Sequence, residues 1–129
     1  ETGAPLTFSS LSGTSYYFVV RHRNHVDVLT ANAVAVVGGA ATYDFSTNVG
    51  QAFGGDQQVI DGAVACMIQG DYTGNNIVNS NDRDKYRSTG SVLDGYEDAD
   101  GDLSGNVNST DRALYRATGS KLGVAEVQL

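Results

Sequence analysis

The chain has 129 residues, 40% of them apolar, with 16 glycines, one proline and one cysteine. A formal charge of −7 argues against a nucleic-acid binder, whose surface must be basic to meet phosphates. A single cysteine leaves no disulfide within the chain, and no run approaches the ~18 apolar residues that a membrane span needs.

This length accommodates one domain or two small ones, and a glycine-rich, proline-poor chain suits a turn-rich β architecture. The abrupt start at Glu1-Thr2-Gly3 reads as a fragment boundary or an expression scar, with any secretion signal lying far upstream. In chain order, Leu6-Thr7-Phe8 suggests a short edge strand. Tyr16 to Arg23 is strongly β-prone, and Val26 to Leu29 alternates around Asp27. Ala33 to Val37 is a further strand, stopped by Gly38-Gly39, and Thr42 to Phe45 a short one. Gly54-Gly55-Asp56 marks a turn before Val59-Ile60. Ala63 to Gly70 reads as a buried strand, with Cys66 as a small core hydrophobe. Residues 1–68 are therefore expected to form a β-rich, sandwich-like region. A region of roughly this size is marginal alone, so it is expected to share a core with the second half of the chain.

Arg21-His22-Arg23-Asn24-His25 stands out at the end of the strongest strand. Strand alternation would put His22 and Asn24 on one face and Arg21, Arg23 and His25 on the other. Two histidines can bind a transition metal or act as an acid–base pair, but spacing places no third ligand. The competing and preferred reading is a polar strand end that hydrogen-bonds neighbouring loops.

The second half carries a twelve-residue pattern twice. Asp71-Tyr72-Thr73-Gly74-Asn75-Asn76-Ile77-Val78-Asn79-Ser80-Asn81-Asp82 recurs, 29 residues on (100 − 71), as Asp100-Gly101-Asp102-Leu103-Ser104-Gly105-Asn106-Val107-Asn108-Ser109-Thr110-Asp111. Oxygen-bearing side chains fall at positions 1, 3, 5, 9 and 12 of both copies. A hard cation such as Ca²⁺ takes about six to eight oxygens, and this spacing wraps them around one ion, the position-7 carbonyl completing the shell. The ligands would be Asp71, Thr73, Asn75, Ile77 (backbone), Asn79 and Asp82 for one ion. Asp100, Asp102, Ser104, Asn106 (backbone), Asn108 and Asp111 would hold a second. Position 6 needs a sharp turn, which Gly105 favours and Asn76 tolerates. Val78 and Val107, at position 8, suit a short strand that bridges paired loops. The competing reading is two Asx-rich turns. The repeat extends through Asp82 to Ser91 and Asp111 to Ser120 at the same offset, so each loop feeds a helix. Ser80 and Ser109 fall near the helix starts, Arg87 and Arg116 in the last turns, and Gly90 and Gly119 at the stops.

This duplicated loop–helix resembles the dockerin module of secreted bacterial proteins, over about residues 69–120, with 121–129 left as a C-terminal tail. Asp rather than Glu at position 12, and Asn-Ser at positions 9 and 10, carry the resemblance. So does the absence of an amphipathic helix before either loop. The Arg-His-Arg-Asn-His run and Tyr43-Asp44-Phe45 are similar to the region before such repeats in large, Bacteroidetes-like surface proteins. The resemblance implies an α+β chain, a β-rich part packed on a dockerin-like pair of calcium units. It implies two bound Ca²⁺, an extracellular location and a cohesin-like partner. Contact would run through Ser80, Asn81, Arg83, Tyr86 and Arg87, or through Ser109, Thr110, Arg112, Tyr115 and Arg116. The alternative is a calcium-stapled structural or adhesion domain that docks only on its own upstream β-region.

Two Ca²⁺ would bring the formal charge to about −3 (−7 + 4). Loop two offers three carboxylates against two in loop one, and is expected to bind more tightly. No nucleophile elbow, phosphate loop or metalloprotease helix is present, so no enzyme is expected.

Overall fold

The computed structural model describes residues 8 and 10–118 of the chain. The expected strand at Leu6-Thr7-Phe8, the Gly119 stop and the tail at 121–129 thus lie wholly or largely outside the described residues. The fold is α+β in the broad sense: short antiparallel strands in pairs, then two helices. β1 (Ser15–Tyr16) pairs with β4 (Val34–Ala35). β2 (Val19–His22) pairs with β3 (His25–Leu29), and β5 (Gln58–Asp61) with β6 (Val64–Met67). The helices are α1 (Ser80–Thr89) and α2 (Ser109–Thr118).

The expected sandwich of two facing sheets gives way to three separate two-stranded sheets among the described residues. Local side-chain bonds explain part of this. At 42–45 a strand was expected, but the Asp44 carboxylate accepts from both Ser46 N (2.8 Å) and Ser46 Oγ (2.6 Å), which bends the chain. The Tyr43 hydroxyl donates to the Gln51 carbonyl (2.7 Å) and ties the segment to the loop that follows. The strand expected over Ala33 to Val37 is shorter, ending at Ala35; at Gly38-Gly39 both φ angles are positive (62° and 79°), and Val37 bridges back to Ala40 across that turn. The strand expected over Ala63 to Gly70 is buried only in part: Ala65 (6% exposed) and Ile68 (0%) point into the fold, Cys66 is half-buried and Val64 is 48% exposed.

The two halves share packing, as their marginal sizes require. Val26, Ile68 and Val78 form one buried cluster, with Val59 and Tyr115 packed on it. Tyr72, Ala99 and Val107 form another, covered by Tyr86, Val92 and Tyr115. Tyr115 belongs to both. Backbone bonds stitch the seam: Val26 N donates to Ile68 O (2.8 Å) and Gly70 N to Asn24 O (3.0 Å). β3 is thereby tied to the segment that enters the first loop.

Candidate metal centre

Each loop is built by its own acidic ends. Asp71 Oδ1 accepts from Asn75 N (3.0 Å) and Oδ2 from Asn76 N (2.7 Å). Twenty-nine residues on, Asp100 Oδ1 accepts from Ser104 N (3.0 Å) and Oδ2 from Gly105 N (2.9 Å). Position 12 closes each loop in the same way. Asp82 Oδ1 accepts from Thr73 N (3.0 Å), and Asp111 Oδ1 from Asp102 N (3.3 Å). Asp82 Oδ2 accepts from Asn79 N and Asp111 Oδ2 from Asn108 N, both at 2.7 Å. Position 6 is left-handed in both copies, at φ 63° for Asn76 and 83° for Gly105. Position 4 is left-handed too, at Gly74 (68°) and Leu103 (59°), a demand that spacing alone did not reveal.

The helix starts are also duplicated. Asn79 Oδ1 accepts from Asn81 N (2.7 Å), and Asn108 Oδ1 from Thr110 N (2.8 Å). Asn79 with Asp82 forms a capping box, so the N-cap is position 9 and Ser80 opens α1. In this arrangement the Asn79 and Asn108 side-chain oxygens serve the helix ends. Gly90, at φ 69°, ends α1 where the stop was expected.

In loop two, Asp100, Asp102 and Asp111 each offer one oxygen, and these lie within 4.8 Å of one another. Such an oxygen-only set suits a hard cation. Hydrogen bonding from Ser104, its side chain above all, holds the Asp102 carboxyl below the usual range. In loop one the Thr73 hydroxyl lies 2.8 Å from Asp82 Oδ1 and 3.4 Å from Asp71 Oδ1, which collects positions 1, 3 and 12. Burial, with the Asp82 charge adding to it, pushes the Asp71 carboxyl up despite its backbone donors. Asn75 Oδ1 accepts from Ile77 N, and the Ser104 hydroxyl lies 3.4 Å from Asn106 O.

The loops do not bridge through Val78 and Val107. Val107 pairs with Val92, its N–H donating to Val92 O (2.9 Å), while Val78 packs with Val26 and Ile68. The link between loops is made instead by Tyr72, buried at position 2, whose hydroxyl donates to Asp111 O (2.8 Å). The Tyr86 hydroxyl donates to Asn108 O (2.9 Å). A large aromatic at position 2, where the second loop has Gly101, was the available signal for Tyr72.

The residues expected to meet a partner divide. Ser80, Asn81, Arg83 and Arg87 are exposed on α1, as are Ser109, Thr110, Arg112 and Arg116 on α2. Tyr86 and Tyr115 turn inward onto the cores. A very polar α1 has few other apolar groups to anchor it.

The Arg21–His25 run is a hairpin tip, not a straight strand. Arg23 and Asn24 form the turn, and His22 pairs with His25, which corrects the expected alternation of faces. The His22 and His25 Nδ1 atoms lie 2.8 Å apart, and Asn24 Oδ1 is 2.7 Å from His25 Nδ1. Asn24 Oδ1 can only accept, so His25 Nδ1 carries the proton and His22 Nδ1 accepts. Burial, then the neighbouring His22, lowers the His25 pKa to about 4. The β2–β3 hairpin bonds to both loops. Asn24 Nδ2 donates to Asp100 O (2.6 Å), and Asp27 N donates to Asn76 Oδ1 (2.9 Å). This matches the reading of a polar strand end bonded to neighbouring loops. A cleft of about 290 Å³ remains beside it, lined by Arg21, His22, Arg23, His25, Asp27 and Asp71, among others.

Among the described residues no helix is long and apolar enough to cross a membrane. Comparison with protein-family models, with curated proteins and with solved structures finds no match to this chain.

Proposed function

We propose that the chain is a non-catalytic, extracellular calcium-binding module, dockerin-like, that mediates protein–protein attachment. One observation carries it: both loops bond their position-1 and position-12 carboxylates to backbone N–H groups in one pattern, 29 residues apart (100 − 71). A generic Asx turn needs one acceptor and one donor. Here four carboxylates, Asp71, Asp82, Asp100 and Asp111, are buried with their oxygens held by N–H groups. Burying that much like charge is costly without a cation, and the all-oxygen donor set selects calcium over softer metals.

The exposed outer faces of α1 and α2 support attachment. Arg83, Arg87, Arg112 and Arg116 would present a basic strip to an acidic, cohesin-like partner. The alternative role is a calcium-stapled structural unit of a larger surface protein with no cohesin partner. The β2–β3 hairpin, bonded to loop two at Asn24 and to loop one at Asp27, favours that reading, since it would make the β-region the loops' own docking partner.

The test is a calcium titration of the chelator-stripped chain by calorimetry, with circular dichroism alongside. Two ions bound with a gain in order is the expected result. No heat at millimolar calcium would reduce the loops to polar turns. Capture by immobilised cohesin, lost when Arg87 and Arg116 are both changed to Ala, separates attachment from stapling.

A further inference from the structure

We propose that Arg23 is a built-in counter-cation of the second loop, which holds Asp100 when no metal is bound and lowers that loop's affinity for calcium. The proposal rests on the reading of residues 100–111 as a calcium loop.

The hairpin tip grips one residue twice. Arg23 Nη2 lies 3.7 Å from Asp100 Oδ2, and the adjacent Asn24 donates to the Asp100 carbonyl. The Asp100 side chain is 2% exposed and that of Arg23 15%, so water screens the pair poorly. The guanidinium lies over the Tyr96 ring, 3.5 Å from its centroid. Its Nε and Nη1 are buried and have no hydrogen-bond partner among the described residues. The cation is thus held in place by the ring beneath it, and its directional bonds are not spent on other acceptors.

Orientation is not what Arg23 adds. The Asp100 carboxylate is already aimed by Ser104 N and Gly105 N, one on each oxygen. What Arg23 adds is charge. The Asp100, Asp102 and Asp111 carboxylates, whose oxygens lie within 4.8 Å, carry three formal negative charges. A fixed cation against Oδ2 of Asp100 relieves their mutual repulsion while the loop is empty. A divalent ion entering the triad would meet that cation on the same carboxylate. The two compete, and the arginine is covalently fixed. Loop two should therefore hold its shape without metal better than its charge suggests, and bind calcium more weakly than three carboxylates would otherwise allow.

A merely structural Arg23 predicts the opposite sign, because damage to the seam would weaken calcium binding along with stability. The experiment titrates calcium alone into the stripped full chain, in the wild type and in an Asp82→Ala background that leaves one isotherm, from loop two. On that background Arg23→Met, which keeps the stem against Tyr96, is expected to tighten calcium binding about tenfold. It is also expected to lower the melting temperature of the metal-free protein by several degrees. Arg23→Lys, which keeps the charge, is expected to stay within about twofold of the parent. Equal or weaker binding by Arg23→Met, with the parent still binding, overturns the proposal and leaves the calcium loop standing. No binding by the wild type at millimolar calcium overturns the calcium reading and this proposal with it. Should Arg23→Met unfold when stripped, the chelator-driven release rate of the loaded protein gives the answer. A roughly tenfold slower release supports the proposal, and an equal or faster one overturns it.

Discussion

The Tyr72 hydroxyl, in the first loop, donates a 2.8 Å hydrogen bond to the backbone carbonyl of Asp111, the last residue of the second. Both partners are buried, and burial together with the Asp111 charge drives the phenol far above its usual pKa, so it stays a donor. Gly101 lies against it: a Cβ there would meet the Tyr72 oxygen at 2.6 Å. Tyr72→Phe removes this bond from a carbonyl that also accepts within α2, and is expected to cost about 0.5–1.5 kcal/mol. Gly101→Ala pushes the ring out and should cost at least as much. Urea unfolding of the calcium-loaded protein measures both, and an unchanged midpoint for Tyr72→Phe would mean that the inter-loop bond contributes nothing to stability.

Asp111 closes loop two and sits in the first turn of α2, so its removal acts on metal and helix together. Asp111→Ala is expected to reduce bound calcium from two ions to one, and Asp82→Ala to remove the other. Calorimetric stoichiometry decides. Retention of two ions in Asp111→Ala would show the ligand set to be wrong.

Leu103 occupies position 4 at φ 59° and is 53% exposed, whereas the first loop has Gly74 there at φ 68°. A leucine in the left-handed region is strained by roughly 1–2 kcal/mol, and its exposed side chain contributes little packing in return. Leu103→Gly is expected to raise stability by about 0.5–1 kcal/mol after the entropy lost from the more flexible unfolded chain. A lower urea midpoint would mean that the leucine packs against something that matters.

His25 gives the fold an acid-sensitive joint. Its folded pKa, about 4, lies below the ordinary histidine value of 6.5, so the folded state favours the neutral ring. Its contribution is present in full above the unfolded pKa and is lost as pH falls from 6.5 toward 4. By about pH 5 the loss would reach roughly 2 kcal/mol, and the partial exposure of the ring reduces that to about 1 kcal/mol. His25→Asn should flatten that part of the profile relative to wild type. Both proteins are compared in the same calcium buffer, because acid also protonates the loop carboxylates. Parallel profiles for the two proteins would dismiss the histidine.

Much of the candidate site was legible in the chain because its geometry is local. A position-1 carboxylate reaches N–H groups four and five residues on, and a position-12 carboxylate reaches back nine or ten, so spacing alone constrains the loop. Loop register, the position-6 turns, both helices and the Gly90 stop come from that locality. The strands were less legible. Residues 42–45 have strand-like composition, but the Asp44 carboxylate caps a bend at Ser46 and the segment pairs with no strand among the described residues. The tip at 22–25 reads as strand until His22 is seen to pair with His25 across a turn.

By itself, then, the sequence determined the repeat, the acidic oxygen positions within each loop and the polarity that leaves the helix faces in water. These depend on contacts a few residues apart, which the chain can make however its ends are placed. Only the tertiary structure decided how the loops are joined. Tyr72 reaches Asp111 across 39 residues, and Asn24 reaches Asp100 across 76. Such bonds depend on the packing of Val26, Ile68 and Val78 in one cluster and of Tyr72, Ala99 and Val107 in the other. No spacing rule encodes them, because their geometry belongs to the packed core and not to the chain.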